Sequence, residues 1–159
     1  IYNIVNNLEV FNLHQFVEKC NEIYKVKYKE ALIINDTEDM SILSNPLLLE
    51  IIIQNMVDNA LKYNVSDVPE IKIYTKKNKN IWSVFFEDNG IGISKDYATK
   101  IFDPFNRINE IETSAGSGLG LTISKLAAFK MNPTLDLYYS SKENGSIFKL
   151  DLTDENEPH

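Results

Sequence analysis

The stretch that decides the fold is residues 45–63, which read NPLLLEIIIQNMVDNALKY. Asn45 has a side chain suited to cap a helix, and Pro46 fits the first helical position because its missing N–H is not needed there. Apolar residues then recur at intervals of three and four, which is typical of a helix with one buried face that ends near Tyr63. The residues of this predicted buried face are Leu49, Ile52, Ile53, Met56, Val57 and Ala60.

Three polar residues interrupt the second half of this helix. Asn55, Asn59 and Lys62 stand at positions i, i+4 and i+7, and they therefore share one helical face. An amide oxygen is a suitable hard ligand for Mg²⁺, and a lysine supplies a point charge for a phosphate group. The spacing is equally compatible with a polar stripe that faces solvent, and both interpretations stay open at this point.

The segments around this helix alternate between helical and strand patterns. An interleaved order of helices and strands is typical of α+β or α/β proteins with a mixed sheet. The predicted elements are a helix over 11–25, strands over 26–35 and within 37–43, strands over 71–75 and 81–87 joined by a turn over 76–80, a short helix over 95–102, a helix from Gly118 to about Lys130, and strands over 135–140 and 146–152.

Acidic and glycine residues follow the predicted strand 81–87. Gly90 and Gly92 permit backbone conformations and close approaches that other residues resist. Asp88 stands where the strand gives way to a loop, and a carboxylate at that place can accept a hydrogen bond from an exocyclic amine such as adenine N6. By itself the pattern is also that of a common Asp-Asn-Gly turn after a strand.

Two further motifs lie downstream. In residues 101–107 two phenylalanines flank a proline, which indicates either a hydrophobic latch under a mobile loop or a packed turn. In residues 116–122 a string of glycines opens a helix, where free backbone N–H groups form a site for phosphate. The string is not a Walker loop, because no Gly-Lys-Ser or Gly-Lys-Thr follows it, and it lacks the context of a dinucleotide fingerprint.

The composition bounds the class of protein. The chain has 159 residues, of which 43% are hydrophobic and 25% charged, as is typical of a globular domain. Its formal charge of −7 disfavours nonspecific binding to nucleic acid or to anionic lipid. Cys20 is the sole cysteine, so a disulfide within the chain is impossible. No apolar run approaches the roughly 20 residues of a membrane-spanning helix, and the start at Ile1 leads us to expect a fragment of a longer protein.

Taken together and in this order, the four motifs resemble the N box, first glycine box, F box and second glycine box of the histidine-kinase catalytic domain. The resemblance covers about Leu47 to Leu152, and the superfamily includes gyrase, the heat-shock chaperone and the mismatch-repair ATPases. It implies an α+β fold, the two-layer α/β sandwich known as the Bergerat fold. In that fold a mixed, mostly antiparallel five-stranded sheet is covered on one face by about three helices, and ATP lies between the helices and a flexible lid.

The resemblance also implies a site for ATP and Mg²⁺ under a lid that spans about residues 94–115. Asn59 is the metal ligand that the resemblance favours, and Asn55 is a second possible ligand. Asn55, Lys62 and Arg107 are expected to serve catalysis. The residues expected to bind ATP are Asn55, Asn59, Lys62, Tyr63, Asp88, Gly90, Gly92, Ile93, Phe102, Phe105, Arg107, Gly116, Ser117, Gly118, Leu119, Gly120, Leu121 and Thr122.

Position 55 helps to choose a branch of this superfamily. Hydrolytic members carry a glutamate at the matching place to activate water, whereas the amide of Asn55 cannot take a proton at neutral pH. The chain also departs from the usual pattern, with Asn64 in place of a threonine or serine, Asn106 in place of an aromatic residue or lysine, Ser44–Asn45 where an aspartate is common, and residues 130–133 in place of a His-Gly-Gly type of turn. None of these departures removes a primary ligand.

The function that the resemblance implies is transfer of the ATP γ-phosphoryl group to a histidine. Residues 1–10 are expected to end a linker from an upstream dimerisation and phosphoacceptor domain, residues 11–153 to form the catalytic domain, and residues 154–159 to form a disordered tail. The expected partners are that upstream domain and, indirectly, a response-regulator receiver domain, with no nucleic acid. We expect a cytoplasmic, monomeric piece with little activity alone, and a homodimeric full-length protein.

Two other functions stay open at this point. One is a regulatory ATP-binding module without kinase activity. The other is a serine kinase of the anti-sigma type, although the F box argues against it. Neither His14 nor His159 lies in the context of a phosphoacceptor motif, so the acceptor histidine is expected outside this chain.

Overall fold

The computed structural model describes residues 7–62, 64–103, 119–131, 133–141 and 144–152. Helices and strands alternate along these ranges, as the sequence predicts. The elements are β1 (Glu9–Asn12), α1 (Leu13–Lys27), β2 (Leu32–Asp36), β3 (Ser41–Ser44), α2 (Pro46–Lys62), β4 (Glu70–Asn78), β5 (Ile81–Asp88), α3 (Lys95–Ala98), α4 (Gly120–Met131), β6 (Leu135–Ser141) and β7 (Gly145–Asp151).

Five of the strands form one mixed sheet. Their order is β2-β4-β5-β7-β6, with β2 parallel to β4 and every other neighbouring pair antiparallel. β1 and β3 pair separately as a short antiparallel ribbon. The prediction of a mixed, mostly antiparallel five-stranded sheet with helices on one face is therefore confirmed.

The helix α2 supplies much of the core, as the opening stretch of sequence predicts. The Asn45 side-chain oxygen accepts hydrogen bonds from the N–H groups of Leu47 at 3.1 Å and Leu48 at 3.2 Å, so it caps the helix that Pro46 begins. All six apolar residues of the predicted face are buried. They pack in one cluster with sheet residues Ile71, Ile73, Val84, Phe86, Leu135, Phe148 and Leu150.

Several predicted boundaries are wrong, and strand pairing explains those at the start of α1 and at the end of β4. Residues 11–12 belong to β1 because they pair with β3, and the Asn12 side chain then caps α1 by accepting the Gln15 N–H at 2.9 Å. α1 continues to Lys27 and β2 begins only at Leu32, so residues 26–31 are not part of a strand. β4 extends to Asn78, so the turn is reduced to two residues, of which Lys79 has a positive φ of 57°.

The helices that flank the lid region also differ from the prediction. α3 covers only Lys95–Ala98, and turns replace the rest of the predicted helix 95–102. α4 begins at Gly120, and its predicted start at Gly118 lies outside the described residues. In none of the described ranges is a helix both long and apolar enough to cross a membrane.

Candidate functional site

The Asp88 carboxylate lies at the end of β5, where the sequence predicts it, with one oxygen held by backbone. Oδ1 accepts hydrogen bonds from the N–H groups of Gly90 at 2.8 Å and Ser146 at 3.3 Å. Oδ2 accepts none from the residues that the structure describes. Burial raises the pKa of Asp88 from 3.8 to about 6, although the two N–H groups act to lower it. Asp88 is half-buried, and among the described residues its Oδ2 atom remains available to accept from a donor such as an amine.

Two glycines let residues 88–93, here called the glycine loop, lie against the hairpin of β6 and β7. Gly92 has a φ of +74°, and a Cβ there would lie 2.0 Å from the Ser141 carbonyl oxygen. Gly145 has a φ of +86°, and a Cβ there would lie 2.0 Å from the Asp88 carbonyl oxygen. Any other residue would be strained and would collide with backbone at either position, so the loop and the hairpin interlock.

Two asparagines connect the glycine loop to the end of α2. The Asn64 side-chain amide donates to the Ala60 carbonyl oxygen at 3.3 Å and to the Asn89 side-chain oxygen at 2.7 Å. The same Asn89 oxygen accepts the Glu70 N–H at 2.8 Å. Gly90 fits beneath this network, since a Cβ there would lie 3.9 Å from the Ala60 carbonyl oxygen. The helix end and the loop are therefore held side by side.

The far end of the glycine loop is held by two serines of the β6–β7 hairpin. Ile93 is buried, and its N–H donates to the Ser140 hydroxyl oxygen at 2.6 Å. The Ser140 hydroxyl also lies 2.9 Å from the Ser146 hydroxyl. Ser146 is the residue whose backbone N–H reaches Asp88. Both ends of the loop are thus tied to one hairpin.

The other half of the candidate site lies where α2 packs against the start of α4. A Cβ at Gly120 would lie 3.8 Å from the Oδ1 and Cγ atoms of Asn55, so these two predicted site residues are neighbours. Asn59 lies one turn further along the same face of α2, and both asparagines are half-buried. Ala60, whose carbonyl oxygen lies beside the glycine loop, is five positions after Asn55, a helical rise of about 7.5 Å. The helix α2 thus connects the two halves.

The donors on this face of α2 fit a hard cation that arrives with phosphate. Asn55 and Asn59 each offer an amide oxygen, and Mg²⁺ in proteins takes few protein ligands while phosphates and waters supply the others. Among the described ranges, no three His, Cys, Asp or Glu side chains form a metal-binding group of their own. Lys62 is exposed in the last turn of α2, on the side expected for phosphate.

Phe102 is anchored at the base of the predicted lid. The Thr122 hydroxyl, in α4, donates to the Phe102 carbonyl oxygen at 2.7 Å. The Phe102 ring meets the Phe148 ring edge to face at a centroid distance of 6.2 Å, and the Lys125 ammonium lies 5.0 Å from the Phe102 ring centroid. The structure therefore brings together one F-box residue and one residue of the second glycine box. Leu119 and Leu121 are half-buried, and Leu121 packs on the core.

Several predicted site residues lie outside the described residues. They are Tyr63, Phe105, Arg107, Gly116, Ser117 and Gly118.

Sequence reasoning missed the side chains that hold the glycine loop in place. Ser140 and Ser146 come from β6 and β7, more than 45 residues beyond the loop, and nothing in their local sequence indicates a contact with it. Asn64 was recognised only as a departure from the usual pattern, and Asn89 only as part of a turn. The available signal for all four is limited to polar residue types near the ends of strands or, for Asn64, just after a helix.

Comparisons with known proteins agree with this architecture. Residues 44–156 match the family model described as histidine kinase-, DNA gyrase B- and HSP90-like ATPase. The chain is 31% identical to the sensor protein kinase WalK of Staphylococcus aureus over 125 residues, which is 75% of this chain. It spans between 20% and 30% of the length of the WalK proteins that it matches.

Solved structures share the fold at low sequence identity. The mycobacterial sensor histidine kinase MprB superposes with a TM-score of 0.80 at 19% identity, covering 91% of this chain and 97% of the MprB chain. Full-length ShkA superposes with a TM-score of 0.78 at 18% identity, covering 92% of this chain and 31% of ShkA.

The family model covers well over half of the chain. The chain belongs to the family of histidine kinase-, DNA gyrase B- and HSP90-like ATPases.

Proposed function

We propose that this domain binds Mg·ATP and supplies the catalytic half of a sensor histidine kinase. Membership of the ATPase family implies that it binds ATP. The finer claim is that the γ-phosphoryl group passes to a histidine on a separate dimerisation domain. The homology to WalK, a sensor protein kinase, supports this claim over hydrolysis or chaperone activity.

One observation carries the proposal: beside the glycine loop, the Asp88 carboxylate presents one oxygen, Oδ2, that accepts no hydrogen bond from any described residue. Backbone N–H groups occupy Oδ1, so only Oδ2 is left for a ligand. The adenine N6 amine is a donor that matches such an acceptor, and a hydrogen bond to a charged acceptor contributes about 1.5–3 kcal/mol. Gly90 and Gly92 let the backbone pass close to the base. ShkA, which has the same fold, is described in complex with the adenine nucleotide AMPPNP.

The remaining site residues would hold the triphosphate. Asn59, with Asn55 beside it, would give amide oxygens to Mg²⁺, and Lys62 would place a positive charge near the phosphates. When bound, Mg²⁺ would neutralise phosphate charge. Arg107 and Tyr63 are proposed from the family resemblance alone, the first for phosphate and the second for the adenine ring.

The chemistry proposed for this domain is positioning and charge neutralisation. In-line phosphoryl transfer needs little covalent work from the protein, because the attacking histidine is itself a nucleophile. Asn55 cannot act as a general base at neutral pH, so bound water is not activated by this residue. Bound ATP is therefore held for phosphoryl transfer and is not hydrolysed.

The whole protein's partners follow from this proposal. We infer an upstream dimerisation and phosphoacceptor domain, a homodimeric full-length kinase and, indirectly, a response-regulator receiver domain. The site would work on the cytosolic side, where ATP is present.

The test mixes this chain with Mg·ATP labelled at the γ-phosphate and a histidine-bearing dimerisation domain taken from WalK. Acid-labile label on the acceptor domain is the expected result, since phosphohistidine is lost in acid. Acid-stable label would indicate serine kinase activity. Tight ATP binding without any transfer would indicate a regulatory module. A chain that binds no ATP in calorimetry would overturn the proposal.

A further inference from the structure

The hydroxyl group of Ser140, in β6, joins both ends of the glycine loop. It accepts the Ile93 N–H at 2.6 Å, and it lies 3.2 Å from the Gly145 carbonyl oxygen and 2.9 Å from the Ser146 hydroxyl. Ser146 in turn donates its backbone N–H to Asp88. Ser140 therefore contacts one end of the loop directly and the other end through Ser146.

These three contacts define where the hydroxyl protons go. A hydroxyl has one proton and two lone pairs. The Ile93 N–H uses one lone pair of Ser140, and the Gly145 carbonyl can only accept, so Ser140 donates its proton to Gly145. Ser146 must then donate its own hydroxyl proton to the second lone pair of Ser140. In this arrangement the Ser140 hydroxyl is fully used, and the Ser146 proton is held by Ser140.

The residues that Ser140 contacts are buried, so the loss of its hydroxyl group would affect the glycine loop. Ile93 and Ser146 are 8% and 5% exposed, so groups that lose their partner there are not readily rehydrated. Removing the Ser140 hydroxyl would leave the Ile93 N–H unpaired and would free the Ser146 hydroxyl to turn. Both changes occur in residues that adjoin or contact Asp88 and its loop. Ser140 therefore ties together the two segments whose backbone N–H groups hold the Asp88 carboxylate.

We propose that Ser140 is a positioning residue that gives this site its preference for adenine over guanine. The inference rests on the proposed function, because it needs Asp88 to accept a hydrogen bond from the adenine amine. Guanine has a carbonyl oxygen in place of that amine, so a carboxylate held in one orientation attracts adenine and repels guanine. A carboxylate that can turn loses this discrimination. Ser140 thus acts on the choice of base and not on the phosphates.

The experiment compares the affinities of Mg·ATP and Mg·GTP by calorimetry in the intact chain and in four variants. Ser140→Ala removes the hydroxyl, while Ser140→Thr and Ser140→Val form a pair of equal shape of which only the first keeps it. Ser83→Ala is the matched control, because the buried Ser83 hydroxyl donates to Asp151 in the same sheet. Ser83 lies five residues before Asp88 in β5, about 16 Å along the strand.

We expect the ratio of ATP affinity to GTP affinity to fall about tenfold in Ser140→Ala and in Ser140→Val, which corresponds to one lost hydrogen bond. Ser140→Thr and Ser83→Ala should keep the ratio within about twofold of the unchanged chain. The ratio of the two affinities is the decisive readout, because a general loss of order in the site weakens the binding of ATP and of GTP alike.

The possible results separate this inference from the proposed function. An unchanged ratio in Ser140→Ala and Ser140→Val would overturn the positioning role, even if both affinities fall together. An equal loss of the ratio in Ser83→Ala would overturn it as well. If Ser140→Ala fails to fold, the Thr and Val pair decides. An unchanged chain that binds ATP but does not prefer it to GTP would overturn this inference alone, whereas one that binds no ATP would overturn the proposed function.

Discussion

The glycines in the two halves of the site serve different physical purposes. Gly92 in the glycine loop and Gly145 in β7 have positive φ angles, and their missing side chains leave room for backbone atoms of the opposing segment. Gly120 at the start of α4 has helical backbone, and among the described residues a Cβ there would meet only the Asn55 side chain, at an ordinary contact distance of 3.8 Å. The fold thus requires glycine at the first two positions but not at the third.

This difference separates the demands of folding from those of binding. Where the fold does not require glycine, a ligand that approaches the backbone closely gives a reason for it. Substitutions in the two halves should therefore divide into those that lower stability and those that lower only nucleotide affinity. The predictions below test this division, starting with the largest expected effect.

Gly92→Ala should destabilise the nucleotide-free chain by about 3 kcal/mol, because it adds backbone strain and a collision with the Ser141 carbonyl. ATP binding should be lost as well, because the glycine loop would no longer keep its conformation. Urea unfolding followed by circular dichroism measures the change. A loss below about 1 kcal/mol would show that the loop and hairpin can separate at little cost, which contradicts the interlocked packing.

Asp88→Asn should weaken ATP binding about 10–100-fold. The backbone N–H groups of Gly90 and Ser146 need an acceptor at the Oδ1 position, so the new amide nitrogen would take the place of Oδ2. A donor would then face the adenine amine. Calorimetry measures the loss, and Asp36→Asn, at an exposed carboxylate that ends β2, is the control. Equal affinities in the Asp88→Asn variant and the unchanged chain would exclude Asp88 from base recognition.

The Asp88→Asn variant should also be more stable to unfolding than the unchanged chain at pH 7.5. The Asp88 pKa is about 6 in the folded chain and near its ordinary 3.8 when unfolded. Between these values the folded chain holds a proton that the unfolded chain has released, so stability falls as the pH rises. The unfavourable contribution is complete above about pH 6 and amounts to roughly 1–3 kcal/mol. Urea unfolding of both proteins should show a gap that closes from pH 6 towards pH 4, and a constant gap would contradict the shifted pKa.

Local signals in the sequence were sufficient for the elements that carry most of the core. A cap, a proline and an apolar stripe predicted α2 to within one residue of its observed start and end. Residues 11–12 were assigned to a helix instead, because the partner that makes them a strand lies some 30 residues later in β3. Strand pairing over such distances leaves no trace in a local pattern.

The same limit explains how much of the site was foreseen. Asp88 and the glycines are consecutive in sequence, so their motif could be read directly. Ser146 reaches Asp88 only because β5 and β7 pair with Glu87 opposite Ile147, and this register is set by the whole sheet. The positions of the motif residues on the fold are predictable from the sequence, whereas the residues that hold them in place are not.

Asn59→Ala should weaken Mg·ATP binding about tenfold and leave the binding of Mg-free ATP nearly unchanged. The proposed role of Asn59 is to give an amide oxygen to Mg²⁺, so its loss matters only when the metal is present. Gln54→Ala, an exposed amide on the same helix, is the control. The experiment is calorimetry with Mg²⁺ and with EDTA, and equal losses under both conditions would remove the metal role.

Gly120→Ala should give the smallest change in stability. It is also the sharpest test of the difference between glycines that folding requires and a glycine that only binding requires. Alanine is favoured over glycine in a helix by up to about 1 kcal/mol, so the nucleotide-free chain should be slightly stabilised or unchanged in urea unfolding. ATP affinity should nevertheless fall, because a methyl group would stand between the start of α4 and the phosphates beside Asn55. Unchanged affinity would show that this glycine serves neither folding nor binding. A loss of stability as large as that of Gly92→Ala would mean that both glycine regions are structural, and the division between the two halves of the site would no longer hold.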